Sequence, residues 1–393
     1  MRDMSRSGRR SRRGAMVSCL AIAALTAVIA GCGGSDKSSN SGGASATTEG
    51  NSVAAQAKAE QAKSFEGEGY GSPPKTSPPP QRGKNVWIMS CDQSIPSCST
   101  PIGAAVEAAK AMGWKVTLFD AKLNPARISE GYRQAIAAKA DGIISYSIDC
   151  PLSQGGLAAV KKAGIKVVTG ESLDCDNNPL FDYIVDYTQG KFPEWFAANG
   201  EMAATNLIAG TDGKPKVIVL DQTDVPLLVP ALDGFKRGMA KCGESCEIVE
   251  TVQFTTPDLG TALPQKIQQA LLQHPEANAM YMQYDNYSLG AGPALRASGR
   301  QGKVLVSVGE GQASTMDELR SGKLKAVGTG MPQSWETYHA VDALNRLFAG
   351  EKPAPSGMGL QAFDKSHNMP AKGQWEPPVD YKAAYMKAWG VGQ

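Results

Sequence analysis

The chain has 393 residues, of which 42% are hydrophobic and 20% are charged, and this length is enough for two domains with separate cores. The first 31 residues contain six Arg and one Asp, so the formal net charge of +2 becomes about −3 without them. A weakly acidic chain offers no basic surface for a nucleic acid, which excludes the DNA- and RNA-binding classes.

The N-terminus has the pattern of an export signal. Several Arg residues precede a 16-residue apolar run at 15–30, which is shorter than the roughly 20 residues of a membrane-spanning helix. The run ends in Ile29-Ala30-Gly31-Cys32, which resembles the bacterial lipobox, whose cysteine is acylated and becomes the mature N-terminus. We therefore predict a signal peptide over residues 1–31 and a lipid on Cys32. An ordinary signal with an incidental Cys32 is the alternative.

Residues 32–83 are predicted to tether the anchor to the folded part. The segment is rich in Gly, Ser, Ala, Thr and Lys, and it ends in a proline-rich run at 72–80. It contains too little apolar surface to offset the entropy of ordering, so we expect a flexible coil that spans on the order of 40 Å. Residues 53–63 could form a short helix, but without an apolar stripe that would join a core.

Cysteine usage fits an exported protein. Six cysteines follow Cys32, and an even number in an exported protein favours disulfides. Fifteen pairings are possible, and proximity in sequence favours three local ones. The candidates are Cys91–Cys98, Cys150–Cys175 and Cys242–Cys246. No pair has Cys-x-x-Cys spacing and the chain has only three His, so we predict neither a metal site nor a cofactor.

From Lys84 onward, apolar strands alternate with helical patterns. The predicted strands are 85–90, 115–120, 141–148, 166–169, 183–186, 216–221, 247–254, 279–284, 304–308 and 325–329. The predicted helices are 102–112, 125–139, 152–163, 194–209, 226–241, 260–273, 287–298, 313–321 and 335–349, with Asn124 as an N-cap. This alternation predicts an α/β fold with two doubly wound parallel sheets of five strands, each covered on both faces.

A series of short motifs supports a family resemblance. They are KADGII at 139–144, KAGIKVV at 162–168, ALDGF at 231–235, HPEANAMY at 274–281, then Asp285 and LGA at 289–291. In this order and spacing, residues 84–350 resemble the type I periplasmic binding proteins of sugar ABC importers, the ribose-binding class. The resemblance implies two lobes that are joined by a three-strand hinge and close over a ligand.

The resemblance also implies lobe boundaries. The N-terminal lobe would contain residues 84–189 and about 331–375, and the C-terminal lobe would contain 190–330 and about 376–393. The three crossings would lie near 186–191, 329–332 and 365–378. The predicted helix at 336–349 would return to the first lobe.

The carboxyl ends of parallel strands are where ligands bind in open α/β sheets. Polar and aromatic side chains there can bind the hydroxyls and the apolar faces of a sugar. The predicted ligand-binding residues are Asp92, Gln93, Glu171, Ser172, Trp195, Gln222, Tyr284, Asp285, Glu310, Gln333 and Trp335. By the resemblance, Glu171 and Glu310 match two Asp that bind sugar hydroxyls, and Tyr284 stands where many members have Asn.

Departures from the family pattern make the predicted pocket acidic. Ser172 and Ala231 occupy positions where the family often has Arg, while both carboxylates are retained. A buried carboxylate needs a partner. We therefore hypothesise a ligand that is cationic or amine-bearing, or a polyol that donates many hydrogen bonds. Asp285 could instead cap a helix, and Trp195 and Trp335 could instead pack an interface.

Together with the N-terminal signal, the resemblance implies an exported, lipid-anchored, monomeric receptor that delivers a small polar solute to an ABC permease. It would act at the extracellular or periplasmic face of the cell membrane. A receptor that feeds a sensor kinase or chemotaxis system is the alternative. A secreted hydrolase is disfavoured, because Gly170-Glu171-Ser172-Leu173 is not a Gly-x-Ser-x-Gly motif, and neither a P-loop nor a dinucleotide fingerprint is present.

Overall fold

The computed structural model describes the backbone of residues 42–392 and the side chains of residues 52–392. The signal peptide and Cys32 lie outside the described residues. The helices are α1 (Gly42–Glu66), α2 (Pro96–Ala111), α3 (Pro125–Ala137), α4 (Gln154–Lys162), α5 (Phe192–Gly210), α6 (Val229–Ala240), α7 (Leu263–Gln273), α8 (Ser288–Ala297), α9 (Ala313–Arg320), α10 (Gln333–Phe348) and α11 (Tyr381–Trp389).

The strands form two sheets. They are β1 (Asn85–Ser90), β2 (Lys115–Asp120), β3 (Gly142–Tyr146), β4 (Lys166–Gly170), β5 (Tyr183–Ile184), β6 (Lys216–Gln222), β7 (Glu247–Phe254), β8 (Ala279–Tyr281), β9 (Leu305–Val308), β10 (Ala326–Gly330) and β11 (Gln361–Asp364). The five-stranded sheet has the order β2-β1-β3-β4-β5 and is parallel throughout. The six-stranded sheet has the order β11-β10-β9-β8-β6-β7, and β11 pairs antiparallel to β10. The predicted two-lobed α/β class is confirmed.

Local sequence explains where several helices begin. The Asn124 side chain accepts hydrogen bonds from the N–H groups of Ala126 and Arg127, and therefore caps α3 as predicted. Helix α2 begins at Pro96, six residues before the predicted start. Proline is tolerated in a first turn because the N–H that it lacks would have no helical partner there.

The C-terminal part of the chain differs from the predicted lobe boundaries. Residues 361–364 extend the second sheet as β11, and Trp375 is buried in the core of that lobe. Helix α11 packs instead against the first lobe, where Trp389 Nε1 donates to Asp342 Oδ1 at 2.9 Å and Lys382 Nζ binds Glu107 Oε2 at 2.8 Å. The prediction missed both elements because each is short and belongs to the lobe opposite to the one expected.

The predicted flexible tether is wrong for residues 52–83. Helix α1 buries Ala54 and Ala57, which are 8% and 6% exposed. After the helix, Glu68 forms an antiparallel bridge with Leu360, and the Gln81 carbonyl accepts a hydrogen bond from Trp114 Nε1 at 2.9 Å. Composition suggested a coil, but docking against both lobes supplies the apolar and hydrogen-bonding partners that the segment lacks by itself.

Three disulfides constrain the loops. The bonded pairs are Cys91–Cys98, Cys150–Cys175 and Cys242–Cys246, which are the local pairs favoured by the sequence. The first encloses the turn between β1 and α2, so it fixes a loop at the carboxyl end of the first sheet. Among the described residues, no helix is long and apolar enough to cross a membrane.

Candidate functional site

A buried polar cluster lies where the carboxyl ends of the two sheets meet. Glu171 follows β4 of the first lobe, Glu310 follows β9 of the second, and Gln333 is the first residue of α10. Gln333 Nε2 donates to Glu171 Oε1 and to Glu310 Oε1, each at 3.1 Å. One amide group therefore joins the carboxyl groups of the two lobes. Gln312 Nε2 orients that amide by donating to Gln333 Oε1 at 2.9 Å.

The backbone beneath Glu171 adopts an uncommon conformation. Glu171 has φ of 45° and Ser147 has φ of 51°, so both lie in the left-handed region that disfavours residues with a Cβ. Ser147 Oγ donates to Glu171 Oε2 at 3.1 Å. Such strain is concentrated at ligand sites in many proteins, because the surrounding structure must hold it in place.

Glu310 makes a direct contact between the lobes. Its Oε2 accepts hydrogen bonds from Ser97 Oγ of the first lobe and from the Asp285 N–H, both at 2.9 Å. Asp285 in turn accepts N–H groups from the loop that carries Glu310, namely Gly309 at 3.1 Å, Glu310 at 3.2 Å, Gly311 at 2.9 Å and Gln312 at 2.7 Å. Asp285 was predicted to bind ligand. The structure uses both of its carboxylate oxygens to hold this loop.

Glu336 is a member of the cluster that the sequence interpretation missed. Its Oε1 accepts the Glu171 N–H at 2.9 Å, and the residue is 1% exposed. A Cβ added to Gly170 would approach Glu336 Oε1 to 2.6 Å, so the glycine makes room for the carboxyl group. Residues three apart on a helix share a face, so the spacing from Gln333 could have identified Glu336.

The carboxyl groups of the cluster lack a cationic partner. Burial raises the pKa of Glu171, and burial together with the nearby Asp285 raises the pKa of Glu310 to about 8. Burial and the charge of Glu171 raise the pKa of Glu336 well above its usual range. Among the ion pairs formed by the described side chains, none involves these three residues. Burial, and then the charges of Glu171 and Glu336, raise the pKa of the buried Tyr146 hydroxyl beside them.

A cavity of about 320 Å³ opens between the lobes next to Ser147. From the first lobe it is lined by residues such as Ser147, Asp149 and Leu152, and from the second by residues such as Leu227 and Thr256. This volume lies within the range of small-molecule sites. The walls therefore come from both lobes, and polar groups are present at the end that adjoins Glu171.

The sequence matches the family described as "Periplasmic binding protein domain" over residues 86–352. The chain belongs to this family. The match covers both lobes and ends just beyond α10, so the fold expected from the resemblance is confirmed.

Solved structures of other periplasmic binding proteins share the fold of this one. GanP, a glucose-galactose binding protein from Geobacillus stearothermophilus, aligns with a TM-score of 0.63 at 18% identity over 73% of this chain and 99% of its own. The arabinose-binding component from Shewanella sp. ANA-3 gives 0.62 at 18% identity over 77% and 95%. A galactofuranose binding protein gives 0.61 at 16% identity over 79% and 100%. No curated protein sequence matches the chain.

Other predicted polar residues of this periplasmic binding protein stabilise loops near the cleft. Gln222 Nε2 donates to Thr256 Oγ1 at 2.8 Å, beside the cavity. Asp92 accepts the Ser94 N–H at 2.8 Å, and Gln93 Nε2 donates to Ser90 Oγ at 2.6 Å. Ser172 is turned into the first lobe, where its Oγ donates to the Gly170 carbonyl at 2.9 Å. The hydrogen-bonding groups of these four side chains thus have partners within their own lobes.

The predicted aromatic residues divide into two groups. Tyr284 is half-buried beside the cluster, where burial and the charge of Glu171 raise its pKa. Trp195 is fully buried, stacks on Tyr187 at 4.7 Å and donates to the Gly359 carbonyl at 3.1 Å. Trp335 is also fully buried and stacks on Tyr381 at 5.9 Å. The two tryptophans therefore pack the hinge and helix α11, in keeping with the alternative weighed for them.

Proposed function

We propose that this periplasmic binding protein captures a small polar solute between its lobes and delivers it to an ABC permease. In this proposal the lipid on Cys32 holds the protein at the outer face of the cell membrane. The observation that carries the proposal is the pair of buried carboxyl groups, Glu171 and Glu310, which come from opposite lobes and share one amide donor. A solute that binds both groups would stabilise the closed arrangement of the lobes.

The chemistry of the cluster limits the ligand to a donor of hydrogen bonds. Glu171 and Glu310 accept from Gln333, Ser97 and Ser147, and the cluster contains no cation that would attract a ligand carboxylate or phosphate. The hydroxyl groups of a sugar or polyol, or the ammonium group of an amine-bearing solute, could take the position of the Gln333 amide. The galactofuranose and arabinofuranose named for structures of similar fold are consistent with a polyhydroxylated ligand.

A binding panel tests both the site and the ligand class. Neutral sugars, polyols, amino sugars and linear amines are screened by thermal shift. The affinity of each stabilising compound is then measured by calorimetry, and a separate assay tests whether the protein converts the compound into a product. We expect Glu171→Gln and Glu310→Gln to weaken binding of the best compound by at least about tenfold, since each replaces an acceptor oxygen of the carboxyl group with an amide N–H donor. Glu130→Gln, at an exposed position of α3, is the matched control.

The outcomes separate the parts of the proposal. Normal affinity in both cleft variants would show that the ligand binds elsewhere. Tight binding of neutral sugars alone would eliminate the amine-bearing version. Conversion of the bound compound into a product would replace binding by catalysis.

The anchor is tested separately. Cys32→Ala should move the protein from the membrane fraction to the medium or periplasm, because acylation requires the thiol. Retention of the variant in membranes would contradict the proposed lipid attachment. Ligand affinity should stay unchanged, since the substitution lies far along the chain from the cleft.

A further inference from the structure

The N-terminal strap, residues 52–82, is docked first on the second lobe. Ala57 of α1 packs in one apolar cluster with Ile208, Ala209 and Cys242. Lys58 Nζ binds Asp212 Oδ1 at 2.6 Å near the end of α5. Phe65 stacks on His367 at 4.2 Å, and its carbonyl accepts a hydrogen bond from Gln361 Nε2 at 3.1 Å. Each of these contacts of α1 is made with an element of the second lobe.

The strap then pairs with residues 357–360, which belong to the segment that leads from α10 of the first lobe to β11 of the second. The Glu68 N–H donates to the Leu360 carbonyl at 2.7 Å, and the Leu360 N–H donates to the Glu68 carbonyl at 2.9 Å. The Gly71 N–H donates to the Gly357 carbonyl at 2.9 Å. A Cβ at Gly359 would approach the Glu68 carbonyl to 2.2 Å, so glycine is required for this close approach. The pairing resembles one more strand laid along the hinge.

The strap ends on the first lobe. The Asn345 side chain, fully buried in α10, donates to the Pro78 carbonyl at 3.0 Å and accepts the Gln81 N–H at 2.9 Å. Arg346 donates to the Thr76 carbonyl. Together with the bond from Trp114 to Gln81, these contacts fix residues 76–81 to the first lobe.

We propose that the N-terminal strap is a further connection between the lobes, beside the segments that join β5 to α5, β10 to α10, α10 to β11 and β11 to α11, and that it shifts the open–closed equilibrium toward the closed state. The strap makes all of these contacts in an arrangement in which Ser97 of one lobe already binds Glu310 of the other. Rotation of the lobes about the hinge would have to bend the strap or break its contacts at one end. Opening is therefore more costly with the strap docked than with the strap released, and ligand affinity rises with the closed fraction.

Two substitutions release the strap at different points without altering either core. Ala57→Arg places a long charged side chain in the apolar contact of α1, and Ala59→Arg, at an exposed position of the same helix, is its control. Glu68→Pro removes the N–H that binds Leu360, and Glu68→Ala, which keeps that N–H, is its control. Both sites lie outside the lobes, so folding of the body is checked by circular dichroism and by the thermal midpoint.

The measurements use the unliganded protein, so they do not depend on the identity of the solute. Trypsin cleavage after Lys58 and Lys63 reports release of α1, and we expect cleavage at least about tenfold faster in Ala57→Arg than in Ala59→Arg. The distance between two spin labels, one on an exposed residue of each lobe, reports lobe opening and does not depend on where the released strap lies. We expect a longer distance for the Ala57→Arg/Glu68→Pro double variant than for the Ala59→Arg/Glu68→Ala control.

Each result bears on the proposal. Faster cleavage with a longer distance between the lobes supports a strap that restrains opening. Faster cleavage with an unchanged distance would overturn the restraint, because the strap would then be released without effect on the lobes. Cleavage at the control rate in both Ala57→Arg and Glu68→Pro would overturn the docking itself. A failure of all solutes to bind would disprove the proposed ligand class, but it would leave these measurements intact.

Discussion

Helix α10 carries two buried polar clusters that differ in how their charge is compensated. Toward its carboxyl end, Asp342 is fully buried, binds Arg346 Nε at 2.7 Å and accepts Trp389 Nε1 at 2.9 Å. At its amino end, Gln333 and Glu336 contact Glu171, and no ion pair of the described side chains reaches these groups. One helix therefore contains a complete ion pair and a cluster that is incomplete, because its carboxyl groups have no cationic partner.

This difference shows which end of α10 stabilises the fold and which end is suited to binding a ligand. A buried ion pair whose hydrogen bonds are satisfied fixes α10 to α11 at little net cost. A buried carboxyl group without a cation destabilises the unliganded state, and such groups cluster where a ligand supplies the missing partner. The carboxyl half of α10 thus stabilises the fold, and its amino half contributes to the candidate site.

The largest effect is expected from breaking the complete pair. Arg346→Met should destabilise the protein by about 3–5 kcal/mol, because Asp342 would remain buried without its cation. Urea denaturation measures the loss, and Arg237→Met is the control. Arg237 and Glu201 form a surface pair with side chains 55% and 33% exposed, so that variant should lose less than about 1 kcal/mol. Equal losses in the two variants would mean that the buried pair contributes no more to stability than the surface pair.

The incomplete cluster should make stability fall as pH rises. The pKa of Glu310 is about 8 in the folded protein against 4.5 for an ordinary glutamate, so the folded state holds this proton more tightly. Its stabilising contribution is complete below about pH 4.5 and is lost as pH rises through about 8. At about 1.4 kcal/mol per pKa unit, the difference between 4.5 and about 8 limits the loss to at most on the order of 5 kcal/mol.

Denaturation curves between pH 4.5 and 8.5 measure this dependence. The Glu310→Gln variant lacks this titrating carboxyl group, so its free energy of unfolding should fall less as pH rises. The Glu130→Gln control should follow the wild type. A wild-type profile that is flat or rises over this range would contradict the raised pKa. A cationic ligand would pair with ionised Glu310, so in its presence stability should rise with pH instead of falling.

The smallest effect is expected at the hydroxyl that bridges the lobes. Ser97→Ala removes one of the donors to Glu310 Oε2, and this should cost about 1–2 kcal/mol where Glu310 is ionised and less where it is protonated. The same pH series measures it. Ser94→Ala is the control in the same turn, because Ser94 Oγ binds Asp92 within its own lobe. If Ser97→Ala lowered the free energy of unfolding equally at all pH values, Ser97 would not be stabilising the charge of Glu310.

The sequence predicted the alternation of elements well because buried parallel strands are continuous apolar runs. It also singled out Glu171, Glu310 and Gln333, which meet in one buried cluster, since strand ends and crossings can be located from those runs. It could not assign Asp285, whose role depends on four N–H groups of a loop 24 to 27 residues later. It missed the docking of residues 52–83 because that segment has no pattern of its own and is ordered by long-range contacts.

The disulfide between Cys91 and Cys98 encloses Ser97, the residue whose hydroxyl reaches Glu310 across the cleft. Closing this short ring restricts the backbone of the donor before any ligand arrives. The conformational entropy of ordering Ser97 is then lost once, when the thiols are oxidised, and not again at each closure of the lobes. Oxidation after export thereby becomes part of the preparation of the cleft, because it lowers the entropic cost of every later binding event.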